Sequence, residues 1–355
     1  MKKKTILITG GAGFIGSNLA VLFKKNFSNI NVISLDNLKR NGSGLNLSRL
    51  RESGVKFVHG DVRNPEDLDA VGKFDVLIEC SAEPSVMAGY NSSSEFLINT
   101  NLFGTVNCLE QAKKYQADII FLSTSRVYPI SLLRDIKLKK DKTRFALSKK
   151  QSIQGISQKG ISEDFPLNKA RSLYGATKLA SEILMLEYIN MYKIRGVINR
   201  CSIVTGPWQM GKVDQGVVAL WVARHLLGKK LKYIGFDGSG QQVRDILHVA
   251  DLFNLISLQI KNMNKFNGNT YNVGGGNPLS VSLLELTKLC QEITEKEITI
   301  SKIKKTSSMD IPYFITDSSK IMKESSWKPE KNLHDIIEDI AKWITNNKQI
   351  LQTIF

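Results

Sequence analysis

The chain has 355 residues, 42% of them hydrophobic, enough to bury a full core in one large domain or two smaller ones, and this excludes a disordered chain. No run approaches the roughly 20 uncharged apolar residues of a membrane helix, and the opening MKKKTILITGG passes into a strand and a glycine turn, so a cytoplasmic protein with no membrane partner is expected. The 49 Lys and Arg against 33 Asp and Glu leave a net charge of +16, but the lysines are dispersed and the densest stretch, Lys137 to Lys159, lacks interleaved aromatics; a solvated surface and no nucleic-acid partner are expected.

Short β-branched runs alternate with amphipathic segments over the first two-thirds of the chain, the pattern of βαβ units around a parallel sheet. Strands are predicted at Thr5 to Thr9, Asn31 to Asp36, Lys56 to Gly60, Val76 to Cys80, Ile119 to Ser123 and Gly196 to Arg200. Helices are predicted at Ser17 to Lys25, Phe96 to Lys114 and Tyr174 to Tyr192, the last two long enough to pair on a dimer face. The fold class is therefore α/β, a doubly wound parallel Rossmann sheet with a smaller C-terminal domain for substrate. Residues 1–200 form the dinucleotide-binding domain, with 130–167 read as an inserted loop or lid, since lysines and serines there show no period. Residues 201–355 form mainly the second domain, with one strand near 270–273 returning to the main sheet. Cys80, Cys108, Cys201 and Cys290 lie far apart with no CxxC, so free buried thiols and no metal site are expected.

The strongest local signal is TGGAGFIGS at 9–17, directly after an apolar strand and opening a helix, with Gly10, Gly13 and Gly16 spaced GxxGxxG around Phe14 and Ile15. Glycines there make a tight turn and let backbone approach a pyrophosphate at a helix N-terminus. Asp36, 20 residues beyond Gly16 at the end of the second strand, suits a ribose diol and repels a 2′-phosphate, favouring NAD over NADP, with Lys39 and Arg40 nearby; Asn37 follows it. Asp61 and Val62 end the third strand, where a carboxylate could meet the adenine amino group, and Ser81, Ala82 and Glu83 end the fourth. Tyr174 and Lys178, in SLYGATK, stand at i and i+4 on one helix face. An ammonium beside a phenol lowers its pKa from about 10, so that a phenolate can take a hydroxyl proton near neutral pH. Thr124, in LSTSRVYP, would hold the same substrate oxygen.

From TGGAGFIGS through GDVR, STSRVY and YGATK to QQVRDILHVADL and YNVGGG, nearly the whole chain resembles the extended short-chain dehydrogenases/reductases, the NAD-dependent epimerase/dehydratase family. Within it, the basic residue Arg126 two places after Thr124, the long insert before YGATK, and the Asp214-Gln215-Gly216 turn resemble the enzymes that invert C2 of a CDP-hexose. The resemblance implies a nucleotide-sugar substrate, a homodimer or homotetramer, and catalysis by Thr124, Tyr174 and Lys178. It implies that Arg244 grips the diphosphate, that Asp245 and His248 support that loop, and that Gln215 and Gln242 lie near the nucleotide or sugar. Glu83, Arg126 and Cys201 would line the sugar pocket. The Asp-Glu pair that sugar 4,6-dehydratases carry after the active-site Thr is replaced by Ser125 and Arg126, which disfavours dehydration. Arg200 is equally open to a structural role or one beside the nicotinamide.

Overall fold

Each of the first five strands is apolar, short and followed by a turn, and all five pair in parallel. In the computed structural model, which describes residues 4–90, 92–211 and 215–355, β1 (Lys4–Thr9), β2 (Ile30–Asp36), β3 (Lys56–His59), β4 (Val76–Glu79) and β5 (Asp118–Thr124) lie in the order β3-β2-β1-β4-β5. Strands Gly196–Cys201 and Thr270–Val273 extend the sheet beyond β5 to seven. Chain order runs outward from β1 through β2 and β3, then restarts at β4 on the other side. That reversal opens a crevice at the carboxyl ends of β1 and β4, where open α/β sheets take ligands.

The chain divides into two units. The first comprises the chain up to Val127 with Leu173–Arg200 and Leu252–Tyr271; the second comprises Tyr128–Ser172, Cys201–Asp251 and Asn272–Phe355. The core of the first joins Leu7, Leu35, Leu77, Ile119 and Phe121 of the sheet to Cys108, Leu109 and Ala112 of one helix and Met185 of another. Arg200, at the end of its strand, is buried against Glu182 with Nη2 to Oε2 at 2.7 Å, and Ser123 Oγ donates to the same carboxylate. Arg200 is thus committed to a buried ion pair within this unit.

The second unit centres on strand Val243–His248, which pairs with Ile203–Thr205, Ser280–Ser282 and Tyr313–Phe314. Helix Leu283–Thr294 starts at a capping box formed by Ser282 and Glu285, and helix Leu333–Asn346 at one formed by Asn332 and Asp335.

Three expectations need correction. The segment read as an inserted loop or lid without periodicity contains helix Ile130–Arg134 and two hairpins, Leu138–Lys140 with Phe145–Leu147 and Ile156–Ser157 with Gly160–Ile161; strands of two or three residues are too short to show a period. The single helix expected at Phe96 to Lys114 is a run from Glu95 to Tyr115 broken by a π-helical turn at Asn99–Phe103. Cys80 is half-buried, whereas Cys108, Cys201 and Cys290 are buried thiols; all four are free. Among the described residues no helix is long and apolar enough to cross a membrane, and no cluster of side chains could hold a metal ion. Asp214 lies outside the described residues.

Candidate active site

The turn after β1 is built by absence of side chains. Gly10 adopts φ +62°, and a Cβ on Gly16 would fall 2.3 Å from the Gly10 carbonyl oxygen, so only glycine lets the first turn of α1 (Phe14–Asn26) press against the strand end. Gly13 caps α1 with no side-chain hydrogen bond, leaving the helix N–H groups and the positive end of its dipole for an anion. Phe14 and Ile15 are half-buried beside it.

Asp36 stands at the end of β2 beside this turn, its Oδ2 accepting from Ala12 N at 3.1 Å and its Oδ1 from Leu38 N at 2.8 Å. Burial pushes its carboxyl up, and the backbone donors Leu38, Ala12 and Gly13 pull it back. Asp61 follows β3. Burial raises its carboxyl, but hydrogen bonds from Arg63 and Asn37 outweigh burial and hold it at about 2. The Arg63 contact is 2.6 Å and the Asn37 contact 2.8 Å. Val62 is buried, and its carbonyl accepts from Asn107 Nδ2. Phe96 lies under Lys39, 3.4 Å from its ring centroid, with Arg63 at 4.9 Å.

Ser81 is buried and Ala82 half-buried after β4. Glu83 is fixed by Asn101, whose Oδ1 accepts from Glu83 N at 2.7 Å and whose Nδ2 donates to Glu83 O at 3.0 Å. The same Nδ2 donates to Thr177 Oγ1 at 3.3 Å, and Thr177 in turn bonds the Tyr174 carbonyl at 2.9 Å. Asn101 therefore ties the loop after β4 to the Tyr174 helix, Leu173–Tyr192. Sequence reading missed it; the π-turn that holds it has no signature in residue type.

Thr124 ends β5, is 8% exposed, and accepts from Arg126 N at 3.2 Å. Tyr174 is half-buried in the first turn of its helix. One turn on, Lys178 is 2% exposed, its Nζ 3.5 Å from Glu79 Oε2 and 4.0 Å from the centroid of the Phe121 ring. In the first unit Gly10, Gly13, Gly16, Asp36, Asn37, Asp61, Val62, Ser81, Ala82, Glu83, Thr124 and Arg126 stand at or just beyond the carboxyl ends of strands, and Tyr174 and Lys178 on the helix Leu173–Tyr192.

The remaining sequence candidates belong to the second unit. Arg244 donates to the Val243 and Ile311 carbonyls, each at 2.7 Å, with Asp310 at 3.6 Å. Asp245, fully buried, accepts from Ser202, Thr316 and Gly276 N, which ties its strand to three neighbouring segments. Gln242 donates to the Ile234 carbonyl at 3.2 Å while its buried Oε1 meets no partner. Cys201 is buried and Gln215 half-buried. His248 is 5% exposed and accepts from Ala250 N at 3.2 Å. Burial pushes it down to about 4, against a partial pull upward from Asp339, 3.8 Å away.

A nucleotide-binding turn with a tyrosine-lysine pair defines the class, and the comparisons agree with it. The chain belongs to the NAD dependent epimerase/dehydratase family, whose model matches residues 6–274. It is 32% identical to CDP-paratose 2-epimerase of Salmonella typhi over 96% of this chain and 99% of that one. Among solved structures it resembles dTDP-glucose 4,6-dehydratase from Bacillus anthracis in complex with NAD, with TM-score 0.78 and 26% identity over 99% of this chain and 100% of that one. It resembles UDP-glucose 4-epimerase from Bifidobacterium longum in complex with NAD+ and UDP equally well, with TM-score 0.78 and 26% identity over 97% and 99%. The cofactor is NAD, and the side-chain-free cradle at Gly10 and Gly16 with the ordered Asp36 carboxylate fits it.

His248 generates a testable pH effect. Because its folded pKa of about 4 lies below the ordinary 6.5, the unfolded chain takes up a proton first, so its contribution is present above pH 6.5 and is lost as pH falls toward 4. Chemical denaturation of His248→Gln and the parent at several pH values should show the parent's advantage shrinking by about 3 kcal/mol between pH 7 and pH 4; a constant gap would contradict the burial argument.

Proposed function

We propose that the protein is an NAD-dependent nucleotide-sugar epimerase that inverts C2 of a CDP-hexose. The observation that carries the reading is the Tyr174 phenol one helical turn from the buried Lys178 ammonium, in a chain that also carries the glycine turn after β1 and the Thr124 hydroxyl ending β5. Gly10, Gly13, Phe14, Ile15, Gly16, Asp36, Asn37, Asp61, Val62, Ser81, Ala82, Tyr174 and Lys178 hold the cofactor in this reading, which supplies the hydride acceptor and donor. Tyr174 takes the proton of the C2 hydroxyl while Thr124 holds the same oxygen, and with the C2 hydride accepted by the nicotinamide this would leave a 2-keto sugar. Lys178 favours the phenolate. The keto sugar turns about its bond to the diphosphate, presents its other face, and would take back a hydride at C2 while its oxygen receives the proton from Tyr174. Glu83, Arg126, Cys201, Gln215, Gln242, Arg244 and His248 are assigned to the substrate side.

The CDP-hexose assignment is supported by the similarity to CDP-paratose 2-epimerase along 96% of the chain. Epimerisation over dehydration is supported by Ser125 and Arg126, which offer no carboxyl pair for water loss. The Tyr174 helix also exposes Ile183, Leu186 and Met191, at 57%, 38% and 63%, a stripe that suits pairing with the same helix of a second copy.

Two measurements check these readings. Tyr174→Phe should lower kcat on a CDP-hexose by about 100-fold or more with bound NAD unchanged, and parental turnover would contradict the acid–base role. In analytical ultracentrifugation the parent should sediment as a dimer or tetramer and Ile183→Lys as a smaller species; a monomeric parent would contradict the helix pairing.

A further inference from the structure

Glu79 is out of place by pattern. It ends β4 on the face that Leu77 gives to the core, its neighbours across the sheet are Thr9 and Phe121, and it is 0% exposed. A buried carboxylate is expensive to desolvate, and a well-packed apolar side chain of similar volume would be as stable or more so. The group nearest in charge is the Lys178 ammonium, 3.5 Å from Oε2, while Oε1 has no hydrogen-bond partner. Burial pushes the Glu79 carboxyl up and Lys178 pulls it back.

The surrounding elements supply few other charges. From helix Gly104–Tyr115 comes the Cys108 thiol, pushed well up by burial and by Glu79, with Lys178 pulling the other way. β1 contributes the Thr9 hydroxyl and β5 the Phe121 ring face. Glu182, one turn beyond Lys178, is committed to Arg200 and Ser123. Among the described residues, the carboxylate in an ion pair with Lys178 is that of Glu79, and the cation in an ion pair with Glu79 is Lys178.

We propose that Glu79 is a positioning residue for the reaction: its carboxylate is the counter-charge that pins the Lys178 ammonium and tempers its field, and so sets the pH at which Tyr174 yields its proton. This rests on the acid–base reading of Tyr174 and Lys178. An ammonium alone would favour the phenolate strongly; a carboxylate behind it cancels part of that field. The pair also fixes the lysine stem by an ionic contact that an apolar residue at 79 could not make.

The test is an ultraviolet titration of tyrosinate in the NAD-loaded protein, with Tyr174→Phe as the blank that isolates the Tyr174 transition, compared between the parent and Glu79→Gln. This readout needs no substrate. The isosteric amide removes the charge and keeps the volume, so the Tyr174 transition should move to lower pH by about one unit or more, and the acid limb of kcat with it. Glu79→Asp, which retains the charge, should restore the transition to within a few tenths of a unit. A Tyr174 transition unmoved, or moved upward, in Glu79→Gln overturns this proposal alone. If the parent has no Tyr174 transition near neutral pH, the acid–base reading falls and this proposal with it. Should Glu79→Gln fail to fold, Glu79→Asp decides by direction: the lengthened ion pair should move the Tyr174 transition a few tenths of a unit to lower pH, and no shift or an upward shift would overturn the proposal.

Discussion

Among the glycines of the first unit, the tightest stands where β1 ends and α1 starts. A Cβ on Gly16 would meet the Gly10 carbonyl at 2.3 Å, and one on Gly10 would meet the Cys80 carbonyl at 2.9 Å. With side chains at these two points the helix could not start against the strand, β4 could not run past the turn, and the helix N–H groups could not face an anion. The reversal of strand order at β1 and β4 then collects the other strand ends around that turn. Asp36, Ser81 and Thr124 are each placed by where a neighbouring strand stops.

Catalytic chemistry is added by a second constraint, the burial of charge. Lys178 and Glu79 are nearly sealed from water, and Arg200 with Glu182 forms another buried pair close along the same helix. Buried ion pairs contribute little net stability, because desolvation offsets their attraction. Their effect here is geometric and electrostatic: the Tyr174 helix is held against β4 and β5 by charges that tolerate little displacement. Asn101 reinforces this by bonding the loop after β4 and Thr177 from one side chain.

The parts legible in the sequence are those whose meaning is local. TGGAGFIGS, Asp36 and the Tyr174-Lys178 spacing are read within one turn or one βαβ unit, and each stands on the element its pattern predicted: the turn between β1 and α1, the end of β2, and the helix Leu173–Tyr192. Glu79, Asn101 and the Arg200–Glu182 pair escaped because they acquire meaning only through strand register and helix packing between residues 18 to 99 positions apart. The short elements of the insert escaped for a different reason: hairpins of two and three residues per strand carry no period. His248 and Arg244 show the converse, motif residues whose side chains are engaged with their own unit through Ala250 N and the Val243 and Ile311 carbonyls.

Substrate and carbon position are tested most directly by proton NMR of CDP-paratose incubated with the purified protein in D₂O without added cofactor. The account predicts conversion to the C2 epimer with no solvent deuterium at C2, because the hydride returns from tightly held NAD to the carbon it left. Conversion at C4, incorporation of deuterium at C2, or no conversion of CDP-paratose would contradict it.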